Sequence, residues 1–137
     1  MKRSAEAVWN GSGKEGKGVL STDTLVLNNT PFNFISRFEN GIETNPEELI
    51  AAAHAGCFSM KLSFVLIAAG FTADQIDTKC TVILESGTIT HSHLVLRAKV
   101  PGIGQETFDA CAEDAKKNCP VSKLLHAEIT LESTLIH

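Results

Sequence analysis

Tyrosine is absent from the 137 residues, and the aromatic share is only 6%. That leaves no series of rings on which single-stranded bases could stack. A cationic surplus is missing too. Twelve Lys and Arg stand against sixteen Asp and Glu, giving a net charge of −4 and a pI of about 5.7. Such a balance argues against nucleic acid as a partner, because few phosphate counterions could be displaced. The N-terminal MKRSAEAVWNG has basic residues but no apolar run behind them, so it does not read as a secretory signal. No internal repeat, low-complexity tract or linker interrupts the chain.

What is present fits one domain over residues 1–137, with enough length for a sizeable core. A hydrophobic fraction of 43% and a charged fraction of 20% are ordinary for a soluble protein. Residues 49–70 form the longest apolar stretch and approach membrane-spanning length. His54, Ser59, Lys61 and Ser63 interrupt it, and a mid-helix Lys is costly in hydrocarbon. The stretch reads as a buried core helix, with no membrane partner. Four cysteines (Cys57, Cys80, Cys111 and Cys119) without an export signal point to a reducing cytoplasm.

From Met1 to about Asn40 the pattern is strand-like. Ala5-Glu6-Ala7-Val8-Trp9 forms one run, and Val19-Leu20 with Leu25-Val26-Leu27 supplies the next. Gly11, Gly13, Gly16 and Gly18 between them favour a hairpin loop. Thr44-Asn45-Pro46-Glu47-Glu48 opens a helix: Thr44 or Asn45 caps it, Pro46 suits its first position, and the acids favour its positive end. Gly70 is a good residue to end it. Residues 77–85 and 91–100 read as strands around Ser86-Gly87-Thr88, with Val82, Leu84, Leu94 and Leu96 alternating. A helix follows from Gln105 to Asn118, with Phe108, Cys111, Ala112 and Ala115 on one face. Cys119-Pro120 breaks it, residues 121–125 give one more turn, and residues 128–135 a last strand. This order predicts an α+β fold with antiparallel pairing.

Buried thiols are usually just small apolar side chains, and Cys80 and Cys111 fit that description. Cys57 differs, because the small residues of Ala55-Gly56-Cys57 let another element approach its sulfur. Cys119 stands at a helix break, where a side chain can move without dragging a rigid element. A reacting and a resolving thiol need such a pair of settings, although on composition alone inert thiols are the commoner outcome.

The segment from Thr44-Asn45-Pro46-Glu47-Glu48 through His54-Ala55-Gly56-Cys57-Phe58-Ser59-Met60 closely resembles the signature of the OsmC/Ohr family, the osmotically inducible and organic hydroperoxide resistance proteins. Asn118-Cys119-Pro120-Val121-Ser122 is similar to its second-cysteine motif, and Phe34-Ile35-Ser36-Arg37-Phe38 to its arginine segment. The likeness covers essentially the whole chain and is stronger to the OsmC branch. It implies an intertwined homodimer with antiparallel sheets around two central helices. It also implies a thiol peroxidase acting on organic hydroperoxides in stress defence, without a cofactor, and reduced by a dithiol such as a lipoyl group. By the same resemblance Cys57 matches the peroxidatic cysteine, Cys119 the resolving cysteine, and Arg37 and Glu47 the pair that activates the thiolate.

Elementary chemistry agrees on the need for a cation. An unperturbed thiol has a pKa of roughly 8.5, so only a few per cent is thiolate at neutral pH. Cys57 lies well inside its helix, beyond the reach of that helix's N-terminus. A charge at contact distance is worth up to about 4 kcal/mol at an effective dielectric of 20. Arginine's planar fork can hold a thiolate and a peroxide oxygen together, and Glu47 would anchor it in a bidentate pair. Glu47 and Cys57 lie ten positions apart, about 15 Å along a helix, so pairing all three in one chain is difficult. Two antiparallel copies of the helix would remove the difficulty, whereas a Glu47 that only caps its helix would need no partner chain. His54 reads as a packed, hydrogen-bonded core histidine, and His91 and His93 as exposed residues on one strand face. Two other functions stay open: metal binding through Cys57, His54, Cys119 and His126, and a non-enzymatic binding module. The first lacks a C-x-x-C or a tight His pair.

Overall fold

A computed structural model describes residues 1–38 and 42–137, with residues 37 and 38 described by their backbone alone. The elements run β1 (Ala5–Asn10), β2 (Lys17–Thr22), β3 (Thr30–Phe32), α1 (Phe34–Phe38), α2 (Pro46–Ala68), β4 (Gln75–Glu85), β5 (Thr88–Lys99), α3 (Gln105–Asn118), α4 (Pro120–Leu124) and β6 (Glu128–Ile136). The chain groups into two compact units, Met1–Leu49 and Ile50–His137.

In the first unit β1, β2 and β3 form an antiparallel sheet in that order. The rings of Trp9 and Phe32 stand 5.3 Å apart, and a Cβ on Gly18 would collide with both. Only glycine fits that close approach. Leu25-Val26-Leu27 does not continue the strand, as its apolar character suggests it should. Leu25 takes a φ of 61°, and the Leu27 N–H donates to Thr22 Oγ1 at 3.1 Å, so a local turn replaces the ladder. Asn33 Oδ1 accepts the Ser36 N–H at 2.9 Å at the start of α1. Asn45 is the cap of α2: its Oδ1 accepts the Glu48 N–H at 2.8 Å. Its Nδ2 donates to the Ser36 carbonyl at 2.8 Å. One side chain therefore ties α1, which carries Arg37, to the first turn of α2, which carries Glu47.

In the second unit β4 and β5 form a hairpin from Gln75 opposite Lys99 to Glu85 opposite Thr88. Ser86 (φ 49°) and Gly87 (φ 77°) make the two-residue turn whose twist matches the strands. The α+β class holds, but β6 pairs with β5 in parallel, from His91 opposite Glu128 to Lys99 opposite Ile136. The expectation of antiparallel pairing fails here because α3 and α4 carry the chain back before β6 begins.

His54, Phe58, Leu62 and Leu66, four residues apart on α2, are fully buried. The Phe and Leu members pack with Leu94, Leu96 and Ala98 of β5 and with Phe108, Ala112 and Ala115 of α3. Each fully buried Phe or Leu contributes about 1.5–3 kcal/mol. The helix is not buried all round, as its composition suggests. Met60, Phe64 and Ile67 on another face are 64%, 64% and 59% exposed. By length and composition alone α2 could cross a membrane.

Candidate active site

Cys57 stands beside Phe58 in sequence, so its thiol points off the buried stripe of α2 and stays partly exposed. Cys119 occupies the break between α3 and α4. Pro120 has no N–H and disfavours helical backbone at the residue before it. Cys119 accordingly takes φ −68° and ψ 141°, ending one helix and starting the next. Its N–H donates to the Ala115 carbonyl at 3.0 Å, and its own carbonyl accepts the Lys123 N–H at 3.2 Å. The junction is thus pinned on both sides, and the side chain is fully buried.

The two thiols are free and near enough to shift each other's ionisation, and the Val121 N–H favours the charged form of Cys57. Burial pushes the Cys57 thiol above its ordinary pKa; the Val121 N–H pulls it back, and the neighbouring Cys119 raises it again. With these neighbours alone Cys57 is a protonated thiol. A cation is needed to make it a nucleophile.

Behind the thiol pair lies a buried polar chain. Cys119 Sγ and Ser122 Oγ are 3.0 Å apart, and Ser122 Oγ lies 2.8 Å from His54 Nε2. On the other side of the ring, His54 Nδ1 lies 2.6 Å from Ser92 Oγ, which is 3.2 Å from Cys80 Sγ. Burial lowers the His54 pKa, so the ring is neutral. Burial raises the Cys80 thiol, an effect the Ser92 hydroxyl partly offsets. Among the described residues no three His, Cys, Asp or Glu side chains form a group that could hold a metal ion.

A groove of about 630 Å³ opens at Cys57, with Met60, Phe64 and Pro120 as apolar walls and Lys61 and Lys123 at its edge. Phe58 and Leu62, which sequence order places near Cys57, face the core instead. Of the four residues read from the sequence, the structure joins Cys57 and Cys119. Glu47 is buried in the first turn of α2, within the first unit. Arg37 lies on α1 in that same unit, and its side chain is outside the described residues. Val121 and Ser122 enter the sequence reading only as members of the motif at residues 118–122, without a role of their own, and Ser92 not at all. Ser92 left a signal, because it shares the alternating face of Leu94 and Leu96 and so had to be buried. A backbone N–H such as that of Val121 leaves none.

The family model described as OsmC-like protein matches residues 39–134. The chain belongs to the OsmC family. It is 49% identical over 139 residues to Peroxiredoxin OsmC of Escherichia coli, across 98% of this chain and 97% of that one. Identity to Organic hydroperoxide resistance protein-like 2 of Staphylococcus epidermidis is 27% over 123 residues, covering 88% and 86% of the two chains. Among solved structures, the OsmC-like protein from Mycoplasma pneumoniae superposes with a TM-score of 0.79 at 14% identity, covering 100% of this chain and 99% of that one. The OsmC fold is therefore the frame in which Cys57 and Cys119 meet.

Proposed function

We propose that this OsmC-family chain reduces organic hydroperoxides, and hydrogen peroxide less efficiently, in defence against oxidative and osmotic stress. It is a cysteine-based peroxidase, an oxidoreductase. The observation that carries this reading is the pair of neighbouring free thiols, Cys57 on a rigid helix and Cys119 at a helix break. The Cys57 thiolate attacks the distal peroxide oxygen, the O–O bond breaks, and the alkoxide takes a proton to leave as an alcohol. The resulting sulfenic acid condenses with Cys119 to a disulfide, releasing water. A dithiol, of which a lipoyl group is one example, then reduces the disulfide by exchange.

Arg37 supplies the cation that Cys57 needs, and Glu47 holds its guanidinium. The whole of 1–137 acts as one peroxidase domain of a soluble, cytoplasmic homodimer. The exposed Met60, Phe64 and Ile67 stripe of α2 supports the dimer, because a second copy of the helix would cover Ile67 and wall in the groove at Met60 and Phe64. The apolar walls of the groove support the substrate class, since each buried methylene of an alkyl chain contributes about 0.8 kcal/mol that hydrogen peroxide cannot gain.

Steady-state peroxide consumption with a dithiol reductant tests the reading. Higher kcat/KM for cumene or tert-butyl hydroperoxide than for hydrogen peroxide is expected, with no turnover by Cys57→Ser. Peptide mapping after one equivalent of peroxide should find Cys57 joined to Cys119. Activity retained by Cys57→Ser, or a disulfide through Cys80 or Cys111, would overturn it.

A further inference from the structure

His54 is a fully buried histidine that the peroxidase steps above leave unused, yet both of its ring nitrogens are engaged. A core histidine needs partners, but two serines that each go on to contact a cysteine sulfur are more than satisfaction requires. The chain Cys119–Ser122–His54–Ser92–Cys80 has spacings of 3.0, 2.8, 2.6 and 3.2 Å. We infer that Ser122 is the group that takes the proton from Cys119 as the disulfide closes, and that His54 is the positioning residue that accepts it onward. The inference rests on the reading of Cys119 as the resolving thiol.

Donor counting allows the chain to run in either of two directions, and the relay uses the one with the ring proton on Nδ1. A neutral imidazole has one N–H and one lone pair, and burial keeps this ring neutral. With the proton on Nδ1, the ring donates to Ser92 Oγ and leaves Nε2 to accept the Ser122 O–H. Ser122 Oγ then has a lone pair facing Cys119, and the S–H of Cys119 donates to it. That arrangement turns the Cys119 proton away from Cys57 and leaves a sulfur lone pair free to attack. Ser92 in turn donates to Cys80, which closes the far end of the chain. Every link is satisfied with one proton, as a buried polar network requires.

In the closing step the Cys119 proton passes to Ser122 Oγ while the Ser122 proton passes to His54 Nε2. The Cys119 electron pair forms the S–S bond, and the S–O bond of the Cys57 sulfenic acid breaks with its pair on oxygen. Hydroxide leaves, and the proton that His54 took returns through Ser122 to convert it to water, so the ring ends neutral and one water is lost from the thiol and the sulfenic acid. Both sulfurs end as a disulfide, and the peroxide consumed in the first step is the oxidant.

Single-turnover kinetics separate this step from the first. After one equivalent of tert-butyl hydroperoxide, peroxide loss follows sulfenic acid formation, dimedone trapping follows its lifetime, and loss of free thiol follows closure. Ser122→Ala and His54→Leu should consume the first equivalent at the wild-type rate but close the disulfide about a hundredfold more slowly, the low end of a positioned base's effect. The double variant should be no slower than either single one, because both act on one path. Ser122→Ala removes a single oxygen and stands as the deciding variant if His54→Leu does not fold. Diamide provides an arm that needs no peroxidase activity, since it activates Cys57 and leaves Cys119 to attack in the same way. A wild type that closes with diamide but not with peroxide refutes the peroxidase reading, and Ser122→Ala against wild type in diamide still decides the relay. Closure of Ser122→Ala at the wild-type rate with diamide overturns it, as does a first step slowed as much as the second.

Discussion

Cys57 shows how far a single residue's chemistry is set by what surrounds it. Burial pushes its thiol up, and the Val121 N–H only partly opposes that. A group whose pKa is raised is less ionised at neutral pH, so its reactivity climbs with pH until the pKa is passed. Arg37 is proposed to reverse the shift. Arg37→Ala should therefore move the pH profile of Cys57 alkylation to higher pH and cut the rate at neutral pH by about tenfold or more, since a pKa change of one alters the thiolate fraction tenfold. Iodoacetamide labelling of Cys57 followed by mass spectrometry across the pH range measures this, and an unchanged profile would remove Arg37 from its role. Both cysteines were visible in the sequence because their motifs carry small neighbours at Cys57 and a proline after Cys119. The raised pKa and the Ser122–His54 contacts were not, because they arise between residues up to 68 positions apart.

At the scale of elements, local signals succeeded where local hydrogen bonds decide the outcome. Thr44-Asn45-Pro46 announced the start of α2, and the stripe of Phe108, Cys111, Ala112 and Ala115 on α3 is the buried one. Ser86-Gly87 likewise forms the tight turn of the hairpin. Apolar content misled at Leu25-Val26-Leu27, where the Thr22 hydroxyl and backbone bind the turn and leave Val26 83% exposed. The parallel pairing of β6 was hidden too, because direction depends on where α3 and α4 deliver the chain. Asn45 is the element-scale residue to test, since one side chain caps α2 and grips α1. Asn45→Ala should lower stability by about 0.5–2 kcal/mol, the usual cost of a lost cap. Urea unfolding followed by circular dichroism would show this as a lower midpoint, and an unshifted midpoint would mean that the cap contributes nothing.

For the whole molecule, the proposed homodimer allows two arrangements, with the proposed cation Arg37 coming from the same chain as Cys57 or from its partner. Ten positions separate Glu47 from Cys57, about 15 Å along α2, which is beyond the reach of a glutamate side chain. A second, antiparallel α2 would bring the partner's helix start beside the middle of the first, and the exposed Met60, Phe64 and Ile67 offer that copy an apolar surface. A shared site has a consequence that no single-chain site can imitate. On the proposed roles, Cys57→Ser dimers lack the nucleophile and Arg37→Ala dimers lack the cation, so each protein alone is expected to be inactive. Mixed in equal amounts under conditions that exchange subunits, half of the dimers become heterodimers. Each heterodimer then holds one site with an intact Cys57 from one chain and an intact Arg37 from the other. Activity should return to about a quarter of the wild-type value per chain, as twofold symmetry dictates. Native mass spectrometry confirms the exchange, and tert-butyl hydroperoxide consumption reads the recovery. Exchange without recovery would place Arg37 and Cys57 in the same chain's site, leaving Glu47 as the cap of its own helix.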